Sequence, residues 1–195
     1  MTAQPNSPEA RDIAYHLHGY TDARKHADAG PLVIVKGDGV YVEDNHGNRY
    51  IEAMSGLWSV ALGFSEPRLV AAAVALETIK IIEERGLVAH AAEMGQRLQS
   101  GLRAFKDHPL IGEVRGVGLI AAIELVTDKT TKKALDPAGK LGMLVNGLMQ
   151  KNGVITRAMG DALAFCPPLI TTAAEIDLIL AALGKSLDEA AKTVL

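Results

Sequence analysis

The stretch Ile111–Val126, I-G-E-V-R-G-V-G-L-I-A-A-I-E-L-V, constrains this chain more than any other. Its last eight residues, Leu119 to Val126, carry one charge, Glu124. A run this short and apolar suits a strand buried on both faces, as in a sheet covered by helices. Helix-type periodicity flanks it on both sides, so the expected arrangement is α/β with this strand at the centre. The same stretch holds Gly116, Gly118 and Ala121 in the spacing G-x-G-x-x-A, and Asp136 follows twenty residues after Gly116. A dinucleotide site would need a helix to open at those glycines and offer its first N–H groups to the pyrophosphate. Leu119–Val126 is too short and too uniformly apolar for that helix. The glycines are therefore read as close backbone packing around a strand entry.

A chain of 195 residues, 48% hydrophobic, has room for one ordinary domain or two small ones around a substantial core. A net charge of −3 leaves no electrostatic footprint for nucleic acid or an anionic membrane. Cys166 is the only cysteine, which excludes a disulfide or a cysteine zinc site within one chain. The polar start and the absence of a membrane-length apolar run make a reducing cytoplasm the expected location. His16 and His18 fall on one side of an extended segment, as two metal ligands would. No third ligand lies nearby in sequence, so no metal site is assigned.

Residues 1–30 read as an N-terminal arm. From Pro31, the runs Leu32–Lys36, Val40–Glu43 and Arg49–Ala53 predict a meander of three short strands. Gly37-Asp38-Gly39 and Asp44–Asn48 supply its turns, with charged tips read as solvated. Ser55–Phe64 has no clean period and holds the only tryptophan, Trp58. By residue type alone, Trp58 is a core or interface anchor. Ala72, Ala75, Leu76, Ile79 and Ile82 predict a helix that Arg85-Gly86 interrupts, and Val88–Phe105 a second with Met94, Leu98 and Leu102 inward. Asp136-Pro137 reads as an N-cap and first-turn proline for a helix running to Asn152-Gly153. Val154–Arg157 and Ala162–Phe165 suggest a hairpin. Thr172 with Glu175 marks a capping box before a last helix with Ile176, Ile179, Leu183 and Leu187 inward.

These residues together resemble a family. H-L-H-G-Y-T-D-A-R, then G-P-L-V-I-V-K-G-D-G-V-Y-V-E-D-N-H-G-N-R-Y-I-E-A-M-S-G-L-W-S-V-A-L-G, is similar to the N-terminal end of class III, or ω-, aminotransferases of the pyruvate-using amine and β-alanine type. Residues 71 to 195 resemble the C-terminal end of the same enzymes, through A-A-A-V-A-L-E-T-I-K-I-I-E-E, H-P-L-I-G-E-V-R-G-V-G-L-I-A-A-I-E-L-V, T-R-A-M-G-D and C-P-P-L-I. The resemblance implies the small domain of a fold-type I aminotransferase. Residues 31–70 supply its meander and Trp58 loop, residues 71–195 its α/β part, and 31–195 one small domain. In the family a large cofactor-binding domain separates these two ends, and here Val70 runs directly into Ala71.

The family uses pyridoxal phosphate to move an amino group from an amine or ω-amino acid to pyruvate. The Schiff-base lysine, the carboxylate facing the pyridine nitrogen, the stacking aromatic and the phosphate loop all belong to the absent middle. No catalytic or cofactor-binding residue is therefore assigned here, and no cofactor is expected on this chain. An aldimine lysine must be desolvated to lower its pKa. All eleven lysines fall in polar contexts: Lys25, Lys36, Lys80, Lys106, Lys129, Lys132, Lys133, Lys140, Lys151, Lys185 and Lys192. Two features of the family's substrate pocket persist by resemblance: Leu57-Trp58 in a lining loop, and Arg157 as the arginine that grips a substrate carboxylate. On residue type alone, Arg157 is a solvent-exposed hairpin end. The expected function is that of a catalytically empty scaffold or remnant that self-associates through apolar surface at Leu57, Trp58 and Phe64. The alternatives are a transaminase completed by another chain, or a module that binds a full-length homologue.

Overall fold

The computed structural model describes residues 7–15, 26, 28, 30–67 and 74–195. His16, His18 and Lys25, and the junction at Val70-Ala71, lie outside the described residues. The chain divides into two units, residues 1–36 with 43–48, and residues 37–42 with 49–195. In the first, helix α1 (Pro8–Tyr15) carries Glu9. The Glu9 carboxylate accepts a hydrogen bond from Asn45 Nδ2, which does most to hold its pKa down to about 2, and lies 3.3 Å from His46 Nε2. Asp44 is buried, and its Oδ1 accepts from the N–H groups of His46 and Asn48, each at 2.9 Å. This tip is thus closed by a buried carboxylate, where residue type alone suggested solvated charges. A short polar side chain that caps its own turn no longer needs water.

Strands β1 (Ile34–Asp38), β2 (Tyr41–Asp44) and β3 (Arg49–Glu52) form the expected meander. The polypeptide then makes a short turn, α2 (Ser55–Trp58), and two helices, α3 (Val74–Glu84) and α4 (Leu87–Ala104). The hairpin β4 (Ile111–Val117) and β5 (Ile120–Leu125) follows, then α5 (Lys140–Lys151), β6 (Val154–Ile155), β7 (Arg157–Met159), β8 (Ala162–Phe165) and α6 (Ala173–Val194). One sheet has the order β1-β2-β3-β6, with β6 parallel to β3; the other is antiparallel with the order β4-β5-β8-β7. Helices α4 and α5 pack against the second sheet, and α6 packs against both of them. The core between them includes Met94, Leu98, Leu102, Ile123, Leu125, Val145, Leu163, Phe165, Ile179 and Leu183. Each fully buried aliphatic side chain there contributes roughly 1.5–3 kcal/mol relative to exposure. The mixed α/β class inferred from the sequence stands.

Several local expectations change. β5 is the interior strand anticipated, yet it alternates: Ala121, Ile123 and Leu125 are buried while Ile120 is 57% exposed. Small Ala122 on the outer face made the run look apolar on both sides, whereas an antiparallel sheet needs only one covered face. Glu124 lies on that outer face and pairs with Arg115 of β4 at 3.0 Å. The predicted hairpin strand divides at Thr156, so that Val154 and Ile155 join β3 and only Arg157–Met159 pairs with β8. Among the described side chains of α3 the buried one is Ile81, and Ile79 is exposed, because the helix packs on Leu62 and Leu87. Asp136-Pro137 does not cap α5. The helix begins at Lys140, and Asp161, from the β7–β8 turn, accepts from the N–H groups of Gly139 at 2.8 Å and Gly142 at 2.9 Å. A carboxylate at a helix N-terminus satisfies orphan donors and complements the dipole wherever in the chain it originates.

The glycines of the central stretch do what close packing requires. A Cβ on Gly116 would lie 2.4 Å from the carbonyl oxygen of Ile120, and a Cβ on Gly95 of α4 would lie 2.6 Å from the Gly118 backbone. The side-chain amide of Gln99 bridges the same turn, donating to the carbonyls of Gly118 at 2.9 Å and Ile120 at 3.1 Å. No helix starts there, so the dinucleotide motif is a packing device. A test separates packing from helix propensity. Gly147, also in a helix, has nothing within 4 Å of an added Cβ. Gly147→Ala is expected to stabilise by about 0.5–1 kcal/mol. Gly95→Ala gains the same propensity but must move backbone, so a net loss of about 1–2 kcal/mol is expected from overpacking. Urea midpoints that move in the same direction for both variants would refute the contact.

Candidate functional site

The site is built from the end of β3. Strand pairing sets Ile51 opposite Val154 and Glu52 opposite Ile155, and the Ala53 N–H donates to the Ile155 carbonyl at 3.1 Å. Glu52 is therefore held at the sheet margin with its side chain buried. Directly after it the backbone turns left-handed at three successive residues, with φ of 48° at Ser55, 55° at Gly56 and 62° at Leu57. The N–H groups of Ser59 and Val60 both close on the Ser55 carbonyl at 2.8 Å. Left-handed backbone costs an L-residue roughly 1–2 kcal/mol, so Ser55 and Leu57 are held there by their surroundings.

Three sets of hydrogen bonds do the holding. Glu52 Oε1 accepts from the Met54 N–H at 3.0 Å, and Oε2 from the Gly56 N–H at 2.6 Å. Ser55 Oγ donates to the Cys166 carbonyl at 2.7 Å, while the Cys166 N–H donates to the Ala53 carbonyl at 2.6 Å. Ser59 Oγ donates to the Gly56 carbonyl at 2.7 Å. Burial pushes the Glu52 carboxyl above its usual range, and the Gly56 and Met54 N–H groups act against that shift. The Cys166 thiol is also pushed up, chiefly by burial, which disfavours the thiolate.

Leu57, assigned from sequence to a pocket lining, is 53% exposed on this turn. The side chain of Trp58 lies outside the described residues. Arg157 opens β7 opposite Ala164 and is half-buried, where its residue type alone suggested a solvent-exposed hairpin end. The two assigned places are tied to one junction. Arg157 lies two residues beyond Ile155, the strand partner of Glu52, and Ala164 lies two residues before Cys166, the anchor of Ser55. Glu52, Ser55 and Cys166 were not singled out in the sequence. A carboxylate at the end of an apolar strand, followed by Ser-Gly, was the one available signal.

Beside the turn lies a hollow of about 360 Å³ bounded by Ser55, Cys166, Leu119 and Ile120 with Val88 and Ala91 of α4. None of the described residues that line it is charged. A second hollow, about 370 Å³, lies between β3 and α6, with Arg49 and Lys185 at its edge. Arg49 stacks on the Tyr41 ring, 3.8 Å from its centroid. Among the described residues there is no cluster of histidine, cysteine or carboxylate groups that fits a metal ion. His16 and His18 lie outside them. No helix among the described residues is long and apolar enough to cross a membrane.

The turn's strain yields a prediction. Glycine adopts left-handed backbone freely, and β-branched residues adopt it worst. Leu57→Gly should leave stability unchanged or raise it by up to about 1 kcal/mol, whereas Leu57→Val should lower it by about 1–2 kcal/mol. Chemical denaturation ranks the three proteins; Val above Leu would show that residue 57 is not held left-handed in solution.

Comparison with known proteins adds the lineage. The family pattern described as Aminotransferase class-III matches residues 22–75 and 69–187. Gamma aminobutyrate transaminase 1, mitochondrial, of Solanum lycopersicum is 41% identical over 125 residues, which are 64% of this chain and 24% of that protein. Putrescine–pyruvate aminotransferase of Pseudomonas aeruginosa is 42% identical over 127 residues, 65% of this chain and 28% of that protein. The matched stretch thus spans about a quarter of the length of these relatives. Among solved structures, a transaminase with L-alanine superposes with a TM-score of 0.91 at 26% identity, covering 97% of this chain and 99% of that chain. With the family pattern matched along most of its length and its fold shared with a transaminase, the chain belongs to the class III aminotransferases.

Proposed function

We propose that this chain is a class III aminotransferase shortened internally to its small domain, residues 31–195, and that by itself it is a scaffold rather than a catalyst. The observation that carries the reading is the placement of its amines. Lys36, Lys80, Lys106, Lys129, Lys132, Lys133, Lys140, Lys151, Lys185 and Lys192 are all exposed. Two adjoining matches to the family pattern, meeting around residues 69–75, support a join between distant parts of that pattern. So does the short span of the curated relatives that the chain matches. A cytoplasmic location remains part of this proposal.

Pyridoxal phosphate, the cofactor of this family, supplies an electron sink when bound as a Schiff base. The described residues do not fit it. An aldimine lysine needs desolvation, and each of the ten described amines is in water. The hollow beside the Leu57 turn presents no cation for a phosphate. What remains suited to the family's chemistry is recognition: the guanidinium of Arg157 for a carboxylate, with the Leu57-Trp58 segment for the carbon skeleton of an amine or ω-amino acid. Neither can take up or hold a proton from the substrate carbon.

The test incubates the purified chain with pyridoxal phosphate, an amine donor and pyruvate, and measures alanine. The expected rate equals that of free cofactor. Turnover well above it, abolished by one particular Lys→Ala variant, would establish an active site and overturn the proposal.

Self-association belongs to the same reading. Phe64, expected to lie bare, is half-buried with its ring over Gly37. Leu57 is exposed as expected, and further exposed apolar side chains, Val88, Val117 and Ile120, 74%, 77% and 57% exposed, gather at the hollow beside the turn. Clustered exposed aliphatics favour association in water. Sedimentation is expected to show concentration-dependent association, reduced in a Val88→Glu, Val117→Glu double variant. A monomer at every concentration would count against it.

A further inference from the structure

We infer that Glu52 is a positioning residue for the Leu57-Trp58 segment: its two carboxylate oxygens hold the left-handed turn that sets where the segment points. The inference deepens the reading of Leu57 and Trp58 as substrate-facing, and rests on it for its consequence to substrate selection. The geometry stands apart from that reading. Glu52 is the last residue of β3, with its backbone fixed in register against Ile155. From there, one oxygen reaches the N–H two residues on, at 3.0 Å, and the other the N–H four residues on, at 2.6 Å. The two donors flank Ser55, the first left-handed residue.

A single anchor would leave the turn free to pivot. Ser55 Oγ gives one fixed point, on the Cys166 carbonyl. Glu52 adds two more, on the N–H groups of the residues before and after Ser55, and three points define an orientation. The need is for a carboxylate. Glutamine offers one acceptor, and its NH2 group would confront a backbone N–H. Aspartate is one methylene shorter and cannot span both donors from the strand end. Glu52 is 8% exposed, so water does not readily replace a lost acceptor. Burial raises the Glu52 pKa and the Gly56 and Met54 N–H groups act against it; after burial, the Glu52 carboxylate in turn adds to the rise at the neighbouring Cys166 thiol.

The test uses the whole chain without cofactor or turnover, so its outcome is independent of whether the chain transaminates. Trp58 is the only tryptophan, and its emission and acrylamide quenching report on this segment alone. In Glu52→Gln, the Trp58 quenching constant is expected to change. Exchange of the Met54 and Gly56 amides should quicken by about tenfold or more, the effect of losing one charge-assisted bond. Exchange at Ile123 and Leu163 should stay within about twofold of the parent, since strand amides open with the global fold. Adding Leu57→Gly, which removes part of the need for holding, should shrink the effect of Glu52→Gln on quenching. Unchanged quenching and exchange at residues 54–58 would overturn the inference. So would exchange that quickens equally at Ile123 and Leu163, since Glu52 would then serve the core as a whole. If Glu52→Gln does not fold, the same comparison is made in the Leu57→Gly background, and failure to fold there also overturns it.

Discussion

Ala162–Phe165 is buried at all four positions and hydrogen-bonds along both edges, to β5 on one side and β7 on the other. Strand β8 is where the two sheets and the helical layer meet. Leu163 and Phe165 face the helices, and the next residue, Cys166, offers its N–H and its carbonyl to the segment that follows β3. Asp161, just before the strand, caps α5. One four-residue strand therefore sets the helix that covers the sheet, the strand that bears Arg157 and the anchor of the left-handed turn.

The turn shows how strain is stored where a surface must face a given way. Ser55 and Leu57 occupy backbone that costs them energy, and buried hydrogen bonds offset that cost only while every member is present. A right-handed turn would relieve the strain and point Leu57 elsewhere.

Much of the architecture was legible because it depends on periodicity and on local capping. The stripes of α4 and α6, the Thr172–Glu175 capping box and the Asn152-Gly153 stop follow from side chains three or four residues apart, and the fold uses them as written. The meander was legible from its turn residues. Misreadings came where two signals of equal local strength compete. Asp136-Pro137 is as good a helix start as any, but Asp161 lies nearer the N–H groups once β7 and β8 have paired. The division of residues 154–159 between two sheets has no local cause at all, since both halves are β-formers and only the position of β3 decides which partner each takes.

The amino-acid sequence by itself determined the class, the four longer helices, the core stripes and the family, since these rest on short-range spacing and on long runs of specific residues. Tertiary structure alone decided the handedness of the Ser55–Leu57 turn, the burial of Glu52 and the convergence of residues 52, 55, 157 and 166 on one junction. Their physical reason is shared. Each depends on a donor and acceptor that are more than a hundred residues apart, or on a desolvation that only the packed neighbours create. Neither distance in space nor loss of water is written in residue order, so a glutamate at a strand end looks like any solvated charge until the sheets close over it.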